Sequence, residues 1–414
     1  MNKWPKLIAL AFSSVLFGLA VLFTTPRLAP YSQGLQFGEL SMNPFSIHEG
    51  NGLHYRIFFP FLSWALGFIG EQVVWTSMII IGLSLCLVIY GTWRKGFTWT
   101  QAGLAGALIA FTIPLQFTFV YGGFPDAIIY LMMLIMLLAV RKPVVFWTAF
   151  GLSLFTHESV VLLLPFLLLY RYSVVRSDQT IWQWLVREVV PALIAAFVPY
   201  LAYRWWVNTN MMSDVLDSGA AGSQMYCIYK ALENPLICMR EANLLGVLLP
   251  WSIFGTYYYW LAIPAVQFVQ FVRTKQWLRV LQYLAVVAAF ASTFPINLDT
   301  TRVVGFILFP MIMLSLWEYF KTPRQWKLLA IVVGLILLTP HMYVINGTLR
   351  YFAGWPNLWR GVVLSVYPQV DIIAPTLMAV TKLTVLHVAL VASALVAVGY
   401  YLLDRLYPST KSHS

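Results

Sequence analysis

The chain has 414 residues, of which 60% are hydrophobic and only 10% are charged, and its mean hydropathy is +0.76. Soluble domains carry about 25% charged residues, so this composition excludes a soluble protein and requires lipid as the solvent. The net charge of +11 does not indicate a nucleic-acid partner, because the basic residues fall in short clusters between apolar runs.

The apolar runs are long enough to cross a bilayer core, which takes ~20 helical residues. A chain in lipid must satisfy its backbone amides within each segment. We therefore predict an all-α, polytopic transmembrane bundle of about 10–12 membrane helices, forming one domain over residues 1–414. The candidate spans are residues 7–24, 73–92, 97–118, 125–140, 189–207, 245–270, 279–296, 302–320, 327–345 and 383–403.

The basic clusters set the predicted orientation. Most of the Lys and Arg residues fall between alternate spans, and the positive-inside rule makes that side the cytoplasm. We expect a multi-pass protein of the inner (plasma) membrane with both termini cytoplasmic. The longer segments 25–55, 208–244 and 346–382 then lie on the extracytoplasmic face. Loops on a rigid scaffold commonly carry function, so the chemistry is expected there.

Two stretches do not follow simple spans. Arg141 and Arg171 both belong to the basic side, yet residues 143–170 are too few for two full crossings. This predicts a hairpin of two short helices with Thr156, His157 and Glu158 at its apex. Residues 56–70 are expected to form an interfacial or re-entrant helix ahead of the span at 73–92.

The three cysteines exclude a disulfide scaffold and a CxxC metal site. Cys86 falls in a predicted span. Cys227 and Cys238 share one external loop, where a disulfide bridge and two free thiols are both open.

The first external loop contains the residue types that a sugar-transfer site needs. Glu39 and Glu49 are acids that can accept a proton from a hydroxyl, and His48 lies beside Glu49. Arg56 begins an apolar run, so its guanidinium is expected at headgroup depth, where a planar fork suits a phosphate. A solvated loop with an anchoring arginine remains the alternative.

Acids within the apolar runs are the next candidates. Asp126 begins the span at 125–140, where it either faces the external cavity or stabilises the helix start. His157 and Glu158 interrupt an otherwise apolar segment. A carboxylate at bilayer depth costs ~2.5 kcal/mol or more, so such residues usually have a function. No spacing of a metal site accompanies them.

Two later arginines are predicted on the same face. Arg302 follows Asp299 at the start of the span at 302–320, as part of a local capping pair or as a second phosphate ligand. Arg350 lies in the last long external loop, and we expect it to contribute to phosphate binding or to an interfacial helix.

These residues resemble a known family. A hydrophobic first helix, acids in the first external loop, Tyr55 and Arg56 before Ile57-Phe58-Phe59-Pro60, Asp126 at a span start and His157-Glu158 between short helices are similar to bacterial C-type (GT-C fold) glycosyltransferases. The resemblance implies a polyprenyl-phosphate sugar donor, Arg56 and Arg302 on the lipid phosphate, and an acid in the first loop as base. No Asp-x-Asp pair occurs there, so Glu49, Glu39, Asp126 and Glu158 all stay open as the base.

Missing motifs limit the other functions. The chain has no Walker A loop and no Rossmann fingerprint, so an activated donor must arrive through the membrane or the external face. We therefore expect no nucleic acid and no cofactor beyond the lipid-linked donor, with a divalent cation left open, and the sequence does not indicate an oligomeric state. A transporter or flippase that uses His157 and Glu158, or a non-catalytic assembly subunit, remain alternatives.

Overall fold

A computed structural model of the chain describes residues 4–24, 26–46, 51, 53–176, 180–211, 253, 255–293, 300–319, 323–338, 341–345, 348–352 and 371–373. These residues are predominantly helical, as predicted. The helices are α1 (Trp4–Phe23), α2 (Gln33–Met42), α3 (Phe58–Ala65), α4 (Val73–Arg94), α5 (Trp99–Ala110), α6 (Ile113–Val120), α7 (Asp126–Leu138), α8 (Pro143–Leu154), α9 (Leu164–Val175), α10 (Ile181–Trp184), α11 (Val190–Met211), α12 (Ala262–Arg273), α13 (Trp277–Thr293), α14 (Thr300–Tyr319) and α15 (Pro323–Leu338). Short 3-10 helices cover His54–Arg56, Gly70–Gln72, Glu158–Leu163 and Tyr258–Leu261, and a π-helical turn covers Leu185–Val189.

Several of these helices are long and apolar enough to cross a membrane, so the chain has the character of a multi-pass membrane protein. Within the described ranges four stretches pass that test: Trp4–Leu22, Gly70–Arg94, Glu158–Val175 and Ile181–Asn210. Helices α5 and α6 together make a fifth, bent by 44° at their junction. Helices α7, α8, α13 and α15 are apolar but shorter. The predicted span 383–403 lies outside the described residues.

A three-stranded sheet follows the last described helix. Strand β1 (Met342–Ile345) pairs antiparallel with β2 (Thr348–Phe352), and β2 pairs in parallel with β3 (Asp371–Ile373). The predicted helical span 327–345 therefore ends early, at Leu338. Proline is unfavourable in a helix interior, so the sequence Thr339-Pro340 disfavours a longer helix, and the Tyr-Val-Ile run of β1 favours an extended strand.

Helices α4 and α7 run parallel. Near their starts the Ser77 hydroxyl donates to the Phe124 carbonyl at 2.8 Å. Near their ends Leu138 packs so closely on Gly91 that an added Cβ would lie 2.9 Å from the Leu138 Cδ2. Their common start defines one end of the bundle, which we call the site end.

Helix α14 is parallel to both. It begins beside α7 at the site end, where Arg302 contacts Asp126, and near its other end the Trp317 indole donates to Thr92 Oγ1 at 3.1 Å. The Lys95 ammonium lies 4.7 Å from the centre of the Trp317 ring.

Basic residues gather at the end opposite to the site end, which we call the basic end. Arg279, at the start of α13, forms a salt bridge of 3.0 Å with Glu318 at the end of α14. Arg171, near the end of α9, pairs with Glu188. The helices thus alternate in direction between an end rich in Lys and Arg and an end that holds the candidate site.

The segment 143–175 has the predicted break. Helix α8 ends at Leu154, a turn follows, and the chain returns through Glu158–Leu163 and α9, with His157 between them. The two helices have different neighbours, because α8 packs on α7 and α11 whereas α9 packs on α13. The 12 residues of α8 rise about 18 Å. Helix α8 is therefore shorter than a bilayer core of about 30 Å, whereas the return stretch Glu158–Val175 is long enough to cross one.

Candidate functional site

Arg56 and Glu158 form the first of two ion pairs at the site end. The Arg56 Nε and Nη2 donate to the two carboxylate oxygens of Glu158 at 3.2 and 2.8 Å, so the contact is bidentate. Arg56 is placed by the 3-10 helix His54–Arg56, and Glu158 by the break after α8. The Arg56 side chain is buried, whereas that of Glu158 is 34% exposed. The acid is therefore the accessible member of this pair.

Asp126 and Arg302 form the second pair, and it is fully buried. The Arg302 Nε donates to Asp126 Oδ1 at 2.7 Å, and both side chains are 3% exposed. The Arg302 guanidinium lies 4.7 Å from the centre of the Phe124 ring, and its Nη1 donates to Gln33 Oε1 at 3.4 Å. Asp126 makes no capping hydrogen bond to its own helix. Its Oδ2 is buried without a hydrogen-bond partner among the described residues.

His157 lies between the two pairs. Its Nδ1 accepts a hydrogen bond from the Ser159 amide at 3.3 Å, which caps the 3-10 helix that follows. Its ring is 5.3 Å from that of Phe306, which is one turn after Arg302 on α14. The imidazole is buried within electrostatic range of both Arg56 and Arg302. Five predicted site residues are thus brought together from four elements: the 3-10 helices His54–Arg56 and Glu158–Leu163 (with its cap His157), α7 and α14.

The pairs lie below the extreme site end of the bundle. Ser77 contacts Phe124, two residues before Asp126, so Ser77 and Asp126 lie at a similar level along the bundle. The helical stretch that contains Ser77 begins seven residues earlier, at Gly70, and therefore extends about 10 Å beyond that level. Helix α2 covers this extension, since the Gly70 amide donates to the Ser41 hydroxyl at 2.9 Å. The candidate site is therefore recessed within the membrane-crossing part of the bundle.

A cluster outside the predicted site residues lies within electrostatic range of Glu158. The Arg204 guanidinium lies 4.3 Å from the centre of the Tyr55 ring, and its Nη1 donates to Tyr200 Oη at 2.9 Å. Tyr55 Oη donates to Asn208 Oδ1 at 2.6 Å. Burial raises the pKa of the Tyr55 hydroxyl, so it stays a donor at neutral pH. The overlooked signal was an arginine near the end of the predicted span 189–207, where a charge needs an explanation.

The remaining predicted residues are elsewhere or outside the described ranges. Glu39 is exposed on α2, where Asn51 Nδ2 donates to its Oε2 at 3.5 Å. His48, Glu49, Asp299, Cys227 and Cys238 lie outside the described residues, and so does the side chain of Arg350, whose backbone belongs to β2. Within the described part of the chain, no group of three or more His, Cys, Asp and Glu could hold a metal ion.

Comparisons with known proteins found no match: no family model, no curated protein and no solved structure matches the chain. The assignment of a function therefore depends on the geometry described above.

Proposed function

We propose that this chain is a membrane glycosyltransferase with a GT-C-like bundle. It transfers a sugar from a polyprenyl-phosphate donor to a cell-envelope acceptor on the extracytoplasmic face of the inner membrane. The observation that supports this is the convergence of two acid–arginine pairs, Arg56–Glu158 and Asp126–Arg302, on His157. Buried charges are costly in lipid and are retained where they serve a function.

The depth of the pairs supports a donor that arrives through the membrane. The headgroup of a polyprenyl-phosphate sugar lies near the bilayer surface while its tail stays in lipid. The site lies about 10 Å below the start of the helical stretch at Gly70, as the seven residues before Ser77 imply. This depth is within reach of such a headgroup. The basic end then faces the cytoplasm, as the positive-inside rule predicts.

Glu158 is the best-supported base among the described acids. One third of its side chain is exposed, whereas that of Asp126 is buried against Arg302. The bidentate contact with Arg56 fixes the orientation of the Glu158 carboxylate and stabilises its anion. Asp126 then serves to neutralise and orient Arg302. Glu39 and Glu49 of the first loop remain the alternative bases.

The proposed reaction is a displacement at the anomeric carbon of the donor sugar. Glu158 accepts the proton of the acceptor hydroxyl, and the acceptor oxygen forms a bond to the anomeric carbon. The bond from that carbon to the phosphate oxygen breaks, and its electron pair leaves with the polyprenyl phosphate. Positive charge near the leaving oxygen stabilises the transition state.

Replacing the base should abolish transfer. Purified protein in lipid nanodiscs would be given polyprenyl-phosphate monosaccharides and envelope acceptors, and release of polyprenyl phosphate would be measured. We expect Glu158→Gln to lower the rate by about 10²–10⁴-fold, the usual contribution of a general base. Glu318→Gln is the matched control, because Glu318 is also a half-buried acid paired with an arginine, but at the basic end. It should keep the wild-type rate.

Two results would contradict this assignment. Full transfer by Glu158→Gln would exclude Glu158 as the base and return the role to Glu39, Glu49 or Asp126. Full transfer by single neutral variants of all four acids would exclude the proposed mechanism altogether.

Interrupted helices favour one alternative, a transporter or flippase. The helical path is interrupted at His157 between α8 and α9, and helices α5 and α6 are bent by 44° relative to each other. Discontinuous helices at membrane depth are typical of transporter binding sites. Uptake of a solute into proteoliposomes that requires a pH gradient, and that is lost in His157→Asn, would favour this function over sugar transfer.

A further inference from the structure

Arg204 differs from the other two arginines at the site end. Arg56 and Arg302 are each committed to a carboxylate. No carboxylate among the described residues lies within salt-bridge distance of Arg204, which instead rests on the rings of Tyr55 and Tyr200. Aromatic faces hold a guanidinium in place without neutralising its charge.

The charges around Arg204 leave a positive site. Glu158 is close enough to interact electrostatically with Arg204, but its carboxylate is already bound by both donors of Arg56. Arg56 and Glu158 offset each other, and no second carboxylate within the described ranges offsets the charge of Arg204. An anion that approaches Glu158 therefore comes within range of the Arg204 guanidinium.

Asn208 extends the donor set. It is one turn beyond Arg204 on α11, so the two side chains share one face of the helix. Its Oδ1 is occupied by the Tyr55 hydroxyl, which turns the two N–H groups of the amide away from Tyr55. Asn208 is exposed, and Arg204 is half-buried. A planar guanidinium beside an amide N–H donor can donate several hydrogen bonds to the oxygens of one phosphate group.

The same part of α11 exposes apolar side chains. Leu201 and Trp205 are 57% and 69% exposed, so the outer surface of the helix beside Arg204 is apolar. Exposed tryptophans of this kind mark the level of the membrane interface. A phosphate carried on a lipid tail can therefore reach Arg204 with its tail still in the bilayer.

We infer that Arg204, with Asn208 beside it, binds the phosphate group of a lipid-anchored substrate close to Glu158. This inference rests on the proposed function for the role of Glu158 as base. It assigns the leaving phosphate to Arg204, whereas Arg56 and Arg302 remain paired with Glu158 and Asp126.

Equilibrium binding tests the assignment without any acceptor. The full chain, purified in an uncharged detergent, would be titrated with radiolabelled farnesyl phosphate, with farnesol as the uncharged analogue. We expect farnesol to bind about tenfold more weakly or worse, and Arg204→Gln to weaken farnesyl phosphate binding by a similar factor, as loss of a charged hydrogen-bond donor does. Arg204→Lys keeps the charge but not the fork, so its affinity should fall between the two.

Arg187 provides the matched control. It is an exposed arginine in the turn Leu185–Val189, at the basic end of the same membrane-crossing stretch. Arg187→Gln removes the same charge from the same stretch and should bind farnesyl phosphate like wild type. Elution volume and thermal unfolding of each variant would verify that the fold is kept.

Two outcomes would overturn the inference. Wild-type affinity in Arg204→Gln would remove Arg204 from the phosphate site. Displacement of farnesyl phosphate by an equal concentration of inorganic phosphate would assign the site to a water-soluble phosphate rather than a lipid. A chain that binds farnesyl phosphate through Arg204 but transfers no sugar would contradict the proposed function and leave this assignment intact.

Discussion

Arg302 shows how a buried guanidinium selects its partner. The sequence offered Asp299, three residues before it and outside the described residues, as a local partner or the arginine as a phosphate ligand; the structure adds a contact from its Nε to Asp126, 176 positions away. A charge taken out of water must be matched by an opposite charge with good geometry, and proximity in the chain is not required. Both residue types were predicted as site candidates, but their pairing required the parallel packing of α7 and α14.

The buried pair should be stabilising only as a pair. We expect Asp126→Asn to lower the free energy of unfolding by about 3–5 kcal/mol, because it removes the carboxylate charge that contacts the buried Arg302 guanidinium. The double variant Asp126→Leu with Arg302→Met should lose less than Asp126→Asn alone. Unfolding in mixed micelles would measure each value.

The exposed pair Arg279–Glu318 provides the comparison. Its side chains are 30% and 29% exposed, so Glu318→Gln should cost no more than about 1 kcal/mol. An equal loss of stability for Asp126→Asn and Glu318→Gln would show that burial does not distinguish the two pairs.

At the scale of elements, glycines allow α2 to approach the loop before α7. A Cβ added at Gly34 would lie 2.2 Å from the Gly122 carbonyl oxygen, and the Tyr31 amide donates to that same oxygen at 3.1 Å. The next residue in the chain, Gly123, has a φ of +85°, which side chains rarely adopt. This contact seats α2 so that Gln33 reaches Arg302.

Gly34→Ala should therefore displace α2 from its position against the loop before α7. The new methyl group would collide with the backbone of Gly122, so we expect lower thermal stability and reduced transfer activity. Gly18→Ala is the matched control, because an added Cβ there meets nothing within 4 Å and alanine favours a helix. Melting temperatures in detergent would compare the two. A Gly34→Ala protein as stable as Gly18→Ala would show that α2 can shift without loss.

Element boundaries were predictable where charge and length constrained them. The two basic clusters at Arg141 and Arg171 required an outward and a return path in residues 143–170, and α8 and α9 provide it. Residues 327–345 carried no such constraint. Their hydropathy predicted one helix, whereas the structure ends α15 at Leu338 and begins β1 at Met342.

On the scale of the whole molecule, the alternation of helices places two groups of charged residues at opposite ends of the bundle. Lys95, Arg171 and Arg279 lie at the basic end, and the ion pairs of the candidate site lie at the other. The positive-inside rule assigns the basic end to the cytoplasm, so the site end should face outside.

Cysteine labelling would test that orientation. In a variant without the three native cysteines, Asn43→Cys places a thiol beside the exposed end of α2, and Gln276→Cys places one in the turn between α12 and α13. A membrane-impermeant maleimide should label position 43 in intact cells and position 276 only after permeabilisation. The reverse pattern would place the candidate site in the cytosol and exclude transfer on the extracytoplasmic face.

Composition and hydropathy by themselves determined that this is a multi-pass helical membrane protein, because a chain with so few charges must have lipid around it. The sequence also identified Arg56, Asp126, His157, Glu158 and Arg302 as candidates, since charges within apolar runs stand out. Only the tertiary structure decided which acid faces which arginine, and that Arg204 has no carboxylate within salt-bridge distance in the part of the chain that the structure describes. That difference has a physical reason: solvation preference belongs to each residue, whereas the neutralisation of a charge depends on the packing of helices distant in the chain.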